Sequence, residues 1–253
     1  MTWLLDLDGV VWLTDRPVEG SVDAVGRLRD RGERVLFLTN NSSQKVADVV
    51  SKLRDMGVDA EPNEVITSAL AAARLVEPGE TALVCAGPGV EEALQERGAK
   101  TVREGEADAV VVGWHRDFDY ERLTAAAHAV MGGARLIGTN DDPTYPTPDG
   151  PIPGGGSLLA AVAVAGGAEA VVAGKPHQPV AELIEERFGY VDTLVGDRPS
   201  TDGKLAQRLG ARFILVFSGV TAEDDLPVDP EPDQTAPDLA SVVDDNVDDD
   251  GDS

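Results

Sequence analysis

Residues 3–11 read W-L-L-D-L-D-G-V-V, and the fold follows from how this stretch is read. A short apolar run ends in two carboxylates, Asp6 and Asp8, two residues apart, with Gly9 directly after them. On a β-strand, residues i and i+2 point to one face, so at a strand end the pair can be aimed together into a crevice. Two such acids are costly to hold unless a cation lies near them. The plain alternative is a strand end followed by solvated turn acids. By itself, D-x-D-G leaves the two readings level.

Outward from this strand, apolar runs alternate with segments of helical period, the pattern of a parallel α/β sheet. Residues 21–31 carry Val22, Val25 and Leu28 as a stripe and stop at Gly32. R-V-L-F-L-T-N-N-S (34–42) is a second strand running into a polar tip, 43–56 a helix, and E-V-I-T-S (64–68) a short third strand. Open sheets bind ligands at such carboxyl ends. From about residue 75 the rhythm restarts with T-A-L-V-C-A (81–86), A-D-A-V-V-V-G-W (107–114), a helix at 120–131 and A-R-L-I-G-T-N (134–140), reading as a second unit inserted in the first. G-P-G (87–89) lacks the third glycine and the ribose acid of a dinucleotide fingerprint, so it reads as a plain strand-to-helix turn. The apolar runs around Val171, Leu194 and Ile214 are expected to return to the first sheet. The expected fold is therefore α/β: a doubly wound parallel-sheet (Rossmann-like) core with an inserted α/β cap domain. The expected boundaries are 1–75 and 171–228 for the core, 76–170 for the cap, and 229–253 for an acidic, largely disordered tail. Within that tail, D-L-A-S-V-V-D-D (238–245) offers at most one short docked turn or helix.

The 253 residues include 21 Lys+Arg and 46 Asp+Glu, a formal charge of −25. Thirteen of the acids and no Lys or Arg follow residue 220, which leaves −12 on the rest. Acid-rich, lysine-poor composition resembles that of proteins from salt-accumulating halophiles; the alternative is an ordinary acidic protein with a charged tail. Nucleic acid is a poor partner, since phosphate binding needs clustered Lys and Arg. No stretch is apolar enough to span a bilayer, and Asp6 arrives before the core of a signal peptide could form. No membrane partner is expected, and the expected location is cytoplasmic. The single cysteine, Cys85, excludes an internal disulfide or a cysteine metal cluster and reads as a buried small hydrophobe.

Three further clusters carry candidate chemistry. Thr39 and Asn40 end the second strand, Lys175 follows a strand in G-K-P-H, and Asp197 stands at a strand end in V-G-D-R-P-S-T-D-G with Asp202 five residues on. Singly, each has an ordinary reading: a turn or cap, a surface lysine, a turn with an N-cap. Together they fit one task. Asp6, Asp8 and Asp197 can offer hard oxygen ligands to one Mg²⁺, which takes carboxylates, waters and a substrate phosphate. The Thr39 hydroxyl, the Asn40 backbone N–H and the Lys175 ammonium can hold the remaining phosphoryl oxygens. A spare carboxylate is then free as a nucleophile. The long loop at 140–156 reads as functional, with Asn140, Asp141 and Tyr145 giving it polar reach. His115, His128 and His177 have no evident partner in the sequence.

At this point the chain resembles the haloacid dehalogenase-like hydrolases. D-L-D-G-V (6–10), L-T-N-N-S (38–42), G-K-P (174–176) and G-D-R-P-S-T-D (196–202) follow that family's order. V-I-T-S-A (65–69), A-D-A-V-V-V-G-W-H-R-D-F-D-Y (107–120), G-T-N-D-D-P-T-Y-P (138–146) and P-G-G-G-S (153–157) resemble the NagD/para-nitrophenyl phosphatase branch, which includes phosphoglycolate and pyridoxal phosphate phosphatases. The resemblance implies that Asp6 attacks phosphorus and forms an aspartyl-phosphate, and that Asp8 is acid to the leaving alcohol and then base to water. It implies that Thr39 and Asn40 hold the phosphoryl group and Lys175 neutralises it. Asp197 binds Mg²⁺ with Asp6 and the Asp8 carbonyl, and Asp202 stands one step behind the metal ligands. Arg198 and Thr201 lie near the substrate, although Pro199, Ser200 and Gly203 depart from the usual residues of that loop. The cap, through residues 139–148, selects the leaving group.

The implied activity is a Mg²⁺-dependent phosphatase acting on a small phosphorylated metabolite: a sugar phosphate, phosphoglycolate or an aryl phosphate. A phosphoryl transferase of the same superfamily is the alternative. A non-catalytic binding module is disfavoured because every catalytic residue type is present. Homo-oligomerisation through the cap stays open.

Overall fold

The computed structural model describes residues 1–145, 147 and 150–245. The chain divides into two units, one holding residues 1–39, 49–66 and the chain from 184, the other 40–48 and 67–183.

The first unit is built on the opening stretch. Thr2–Asp6 is a central strand, with Trp3, Leu4 and Leu5 buried. It pairs in parallel with Arg34–Thr39 on one side and Thr193–Gly196 on the other. The sheet runs Gln234–Ala236, Arg212–Val216, Thr193–Gly196, Thr2–Asp6, Arg34–Thr39, Val65–Thr67. Strands covered on both faces read as continuous apolar runs rather than as alternating ones, as R-V-L-F-L-T and R-F-I-L-V do here. Helix Ser21–Asp30 buries Ser21, Ala24, Val25 and Leu28, spaced as one helical stripe. At its start the Ser21 hydroxyl donates to the Val11 carbonyl at 2.8 Å, which ties the helix to the turn after Asp8.

Within the expected tail the strand Gln234–Ala236 is a departure, whereas the short docked helix expected at 238–245 forms. Gln234–Ala236 extends the sheet in parallel with Ile214–Val216. In helix Leu239–Asp245, Leu239, Val242 and Val243 are fully buried. The helix lies along Ser21–Asp30: Arg31 Nη2 donates to the Val243 carbonyl at 3.2 Å, and Arg27 pairs with Asp244 at 3.1 Å. The helix docks through a stripe of three apolar residues at helical spacing, each worth about 1.5–3 kcal/mol when buried. Residues 246–253 lie outside the described residues.

The second unit carries its own parallel sheet, ordered Val171–Val172, Arg135–Gly138, Ala109–Val112, Thr81–Cys85, Lys100–Val102. Leu83, Cys85, Val110 and Val112 pack against Ala126, Ala129 and Val130 of helix Tyr120–Met131 and Leu158, Leu159 and Val162 of helix Gly155–Gly166. Cys85 is buried in this cluster, and burial pushes its thiol up to about 11. Gly89 comes so close to the Gln44 carbonyl that an added Cβ would stand 2.0 Å from the oxygen. The G-P-G glycines therefore have a packing reason. Val171–Val172, expected in the first sheet, pairs instead with Ile137–Gly138. A two-residue apolar strand carries no local signal of which sheet it joins. Among the described residues no helix is long and apolar enough to cross a membrane.

Candidate active site

The central strand delivers Asp6 at its last position, buried at 6% exposure. The neighbouring parallel strand ends at Gly196, so Asp197 emerges beside it. After Asp197 the chain makes a tight five-residue turn, Pro199–Gly203, that brings Asp202 back toward the strand end, with no exposure at all. Carboxylate oxygens of Asp6, Asp197 and Asp202 lie within 4.8 Å of one another.

Backbone donors position each acid. Leu7 N–H donates to Asp6 Oδ1 at 2.8 Å, Val220 N–H to Asp197 Oδ2 at 2.6 Å, and Arg198 N–H to Asp202 Oδ2 at 3.1 Å. Gly9, at φ +90°, makes the convergence possible, because a Cβ there would fall 2.4 Å from Asp197 Oδ2. Its carbonyl is held by the Ser218 hydroxyl at 2.6 Å.

Three carboxylates this close repel by about 3–4 kcal/mol per pair at an effective dielectric near 20. A cation among them removes that cost. The donor set, oxygen only and buried, fits a hard divalent ion.

Asp8 does not share this arrangement. Its Oδ1 accepts from Trp12 Nε1 at 3.0 Å and its Oδ2 from the Thr39 hydroxyl at 3.2 Å. The two opening acids thus face separate environments. The Asp202 carboxylate groups with those of Asp6 and Asp197 and the Asp8 carboxylate does not, which leaves the backbone carbonyl as the Asp8 atom that the family resemblance offers the metal. Thr39 is buried at the end of its strand. The Thr201 hydroxyl donates to the Arg198 carbonyl at 3.3 Å, closing the turn that carries Asp202.

The remaining predicted residues belong to the second unit. Asn40 is a hub there. Its Oδ1 accepts from Lys175 N–H at 2.8 Å, and its Nδ2 donates to the Lys175 carbonyl at 3.1 Å and to Asp142 Oδ2 at 2.9 Å. Its own carbonyl accepts from Ser68 Oγ at 2.7 Å and Asn140 Nδ2 at 2.8 Å. Lys175 is buried at 3% exposure. Asn140, expected to reach toward substrate, is instead buried at 4% and turned to the Asn40 carbonyl and the Asp142 N–H. A buried amide must satisfy its donors and acceptor, and here the backbone does so.

Tyr145 stacks on Trp114, centroids 4.9 Å apart and planes 24° from parallel, and Trp114 Nε1 donates to the Pro153 carbonyl at 3.0 Å. Asp141 is exposed and pairs with His177 Nε2 at 3.0 Å. That bond holds the Asp141 carboxyl below its ordinary range. The sequence reading missed this partner because the two residues are 36 positions apart. It also passed over Trp12, although the i+4 spacing from Asp8 was there to be seen. Buried His115 sets its Nδ1 on the Gly113 carbonyl at 2.8 Å, and burial pushes its imidazole below the ordinary value. His128 is exposed.

Comparison with known proteins decides the family. A family model described as haloacid dehalogenase-like hydrolase matches residues 3–100, and a second, described as HAD-hydrolase-like, matches 172–242. An acid sugar phosphatase of Staphylococcus saprophyticus is 32% identical over 233 residues, covering 88% of this chain and 89% of that protein. The chain belongs to the haloacid dehalogenase-like hydrolases. Among solved structures, a p-nitrophenyl phosphatase from Archaeoglobus fulgidus superposes with a TM-score of 0.90 at 30% identity, covering 96% of this chain and 98% of that one. A glycerol phosphate phosphatase from Mycobacterium tuberculosis in complex with calcium superposes at 0.88 with 33% identity, covering 95% of this chain and 74% of that one. The same phosphatase has also been solved with magnesium. This hydrolase is a phosphoric monoester hydrolase with NagD-like structural neighbours, and its acidic triad suits a divalent metal.

Proposed function

We propose that this hydrolase is a Mg²⁺-dependent phosphatase that cleaves a small phosphomonoester, in the class of sugar phosphates, glycerol phosphate or aryl phosphates, through an aspartyl-phosphate on Asp6. The observation that carries the reading is the division of labour at the end of the central strand. Asp6 converges with Asp197 and Asp202, while Asp8 is oriented apart from them by Trp12 and Thr39. A nucleophile and a general acid need such distinct environments. The substrate class rests on the relatives named above.

In this mechanism an Asp6 oxygen bonds to phosphorus as the bond to the substrate oxygen breaks, and Asp8 gives that oxygen its proton. Asp8 then takes a proton from water as the water oxygen attacks phosphorus, freeing Asp6 and inorganic phosphate. Asp6, Asp197 and the Asp8 carbonyl, with Asp202 beside them, would hold Mg²⁺, which would supply positive charge where the phosphoryl oxygens gather negative charge. The buried Lys175 amine serves the same charge, the part the family resemblance gives it, and Asn40 fixes its backbone. The Thr39 hydroxyl and Asn40 N–H orient the phosphoryl group, with Arg198 beside it. We assign the second unit the role of substrate-selecting cap, with Tyr145 and Asp141 as its contacts.

The test is hydrolysis of para-nitrophenyl phosphate, then of a panel of sugar and glycerol phosphates, with and without EDTA and Mg²⁺. Asp6→Asn should abolish turnover while the fold persists. Near-wild-type activity of folded Asp6→Asn, or full activity in EDTA, would overturn the reading. Transfer of phosphate to an added alcohol in preference to water would make the enzyme a phosphoryl transferase instead.

A further inference from the structure

The second unit contains a cavity that none of this chemistry uses. It measures about 320 Å³ and is lined by Leu83, Val84, Cys85, Arg103 and Arg122. Cys85 is the last residue of strand Thr81–Cys85, and Arg103 directly follows the adjacent strand Lys100–Val102. Thr81–Cys85 is also where the strand order reverses. The next strand in the chain lies on one side of it, and Ala109–Val112 lies on the other. Open parallel sheets bind ligands at the carboxyl ends of strands at such a reversal.

The lining is one-sided in charge: two guanidinium groups and no carboxylate, in a chain whose formal charge is −25. Each guanidinium is anchored from one edge. Arg103 Nη2 donates to Glu91 Oε2 at 2.6 Å, and Arg122 Nη2 donates to Asp117 Oδ2. These bonds fix the two forks and leave donors over. Arg122 Nη1 is buried with no hydrogen-bond partner among the described residues, and a buried charged donor left unmade is costly. The larger groove on this unit, lined by Glu104, Glu106, Asp108 and Glu121 among others, has the opposite character.

We propose that this cavity is an anion-binding site within the second unit, taking a small molecule by a carboxylate or phosphate group held between Arg103 and Arg122. Planar forks match both anions, and the bonds are charge-assisted. Leu83, Val84 and Cys85 leave room for only a short carbon skeleton, since the volume is at the low end for ligand pockets. His115 Nε2 is also buried without a partner among the described residues; burial is the main cause that lowers its proton affinity, Asp117 opposes it, and Arg122 and Arg103 add to it. An anion that offsets their charge raises that affinity, which makes His115 a reporter.

The site is tested on the full-length, ¹⁵N-labelled protein, titrated in separate arms with malonate and with inorganic phosphate, at ionic strength held constant by KCl. The readouts are the side-chain Nε–H resonances of Arg103 and Arg122 and the imidazole resonances of His115. None of the three residues takes part in the proposed catalysis, so phosphate held by Lys175 and Asn40 is read apart from this site. Saturable shifts are expected, half-complete at about 1 mM, together with a raised His115 proton affinity. Arg103→Gln should weaken the titration at least about tenfold. Arg122→Gln, read on Arg103, is the second variant in case the first does not fold. Saturation by malonate alone assigns a carboxylate ligand, by phosphate alone a phosphorylated one, and by both either group. No saturable shift with either anion, or an unchanged titration in a folded variant, overturns the site.

Discussion

Asn40 pairs with the backbone of Lys175 in both directions, accepting from its N–H at 2.8 Å and donating to its carbonyl at 3.1 Å. An amide side chain carries an acceptor and a donor side by side, so it can bond the N–H and the carbonyl of one residue at once. Asn40→Asp keeps the acceptor and loses the donor, and it sets a carboxylate against Asp142. The expected result is a loss of about 1–3 kcal/mol in stability and a fall in kcat, because the Lys175 backbone is no longer held. Urea denaturation and steady-state kinetics check both. Unchanged values in both would show that the pairing positions nothing.

Asp202→Asn keeps an acceptor for the Arg198 N–H and removes one of three converging charges. In metal-free buffer the variant should melt higher than the parent, by about 2–4 °C for each kcal/mol of repulsion relieved. With Mg²⁺ present the order should reverse, because the metal binds at least about tenfold more weakly. Calorimetry with EDTA and with Mg²⁺ separates the two signs. A lower melting point without metal would count against mutual repulsion in the triad.

Ending the chain at residue 228 should unfold the first unit. The truncation removes the strand Gln234–Ala236 and the buried Leu239, Val242 and Val243. Three such side chains are worth about 4.5–9 kcal/mol, comparable to the whole stability of a typical domain, about 5–15 kcal/mol. Thermal circular dichroism is the measurement, and a truncated protein that melts as the parent does would contradict it.

The Asp141–His177 pair predicts a small acid-side effect. Its carboxyl is held below the ordinary value by the histidine hydrogen bond. The pair's contribution is therefore complete above about pH 4 and fades as pH falls through the lowered value. Both side chains are substantially exposed, so the contribution should stay below about 1 kcal/mol. His177→Ala should return the Asp141 titration, followed by carboxyl NMR, to the ordinary carboxylate range. A titration that does not move would mean that His177 is not the cause.

Salt should stabilise the protein. With a formal charge of −25, separated surface acids repel across distances that a Debye length of about 10 Å at 0.1 M leaves open and about 3 Å at 1 M closes. The melting temperature is expected to climb from dilute buffer to molar KCl. A flat or falling curve would remove the halophilic reading and leave the catalytic one untouched.

The parts of this structure legible in the sequence are those encoded locally. The strand through Asp6, the apolar run before Asp197 and the two-unit rhythm all follow from periodicity over a few residues. What escaped depends on contacts between distant residues. Asp202, a cap by spacing alone and placed behind the metal ligands by the family resemblance, comes within reach of Asp6 and Asp197 through the turn at Pro199–Gly203. Asn140 is a polar loop residue whether it faces solvent or the Asn40 carbonyl. Val171–Val172 would suit either sheet. The stripe of Leu239, Val242 and Val243 is a local signal and marks the docked helix at 238–245, whereas nothing local marks Gln234–Ala236 as a sheet strand.

The interleaving of the first unit along the chain sets the order in which the protein can be made. Thr2–Asp6 leaves the ribosome before its neighbour Thr193–Gly196, which comes about 190 residues later, and the helix that covers Ser21–Asp30 comes later still. At about 5–20 residues per second, the central strand waits roughly 10–40 s for its second partner. Most of the second unit is one unbroken stretch, 67–183, and is complete before then. The nascent chain therefore finishes the inserted unit while the catalytic strand is still exposed on one edge. The carboxylates that repel one another come together only after the inserted unit has been made.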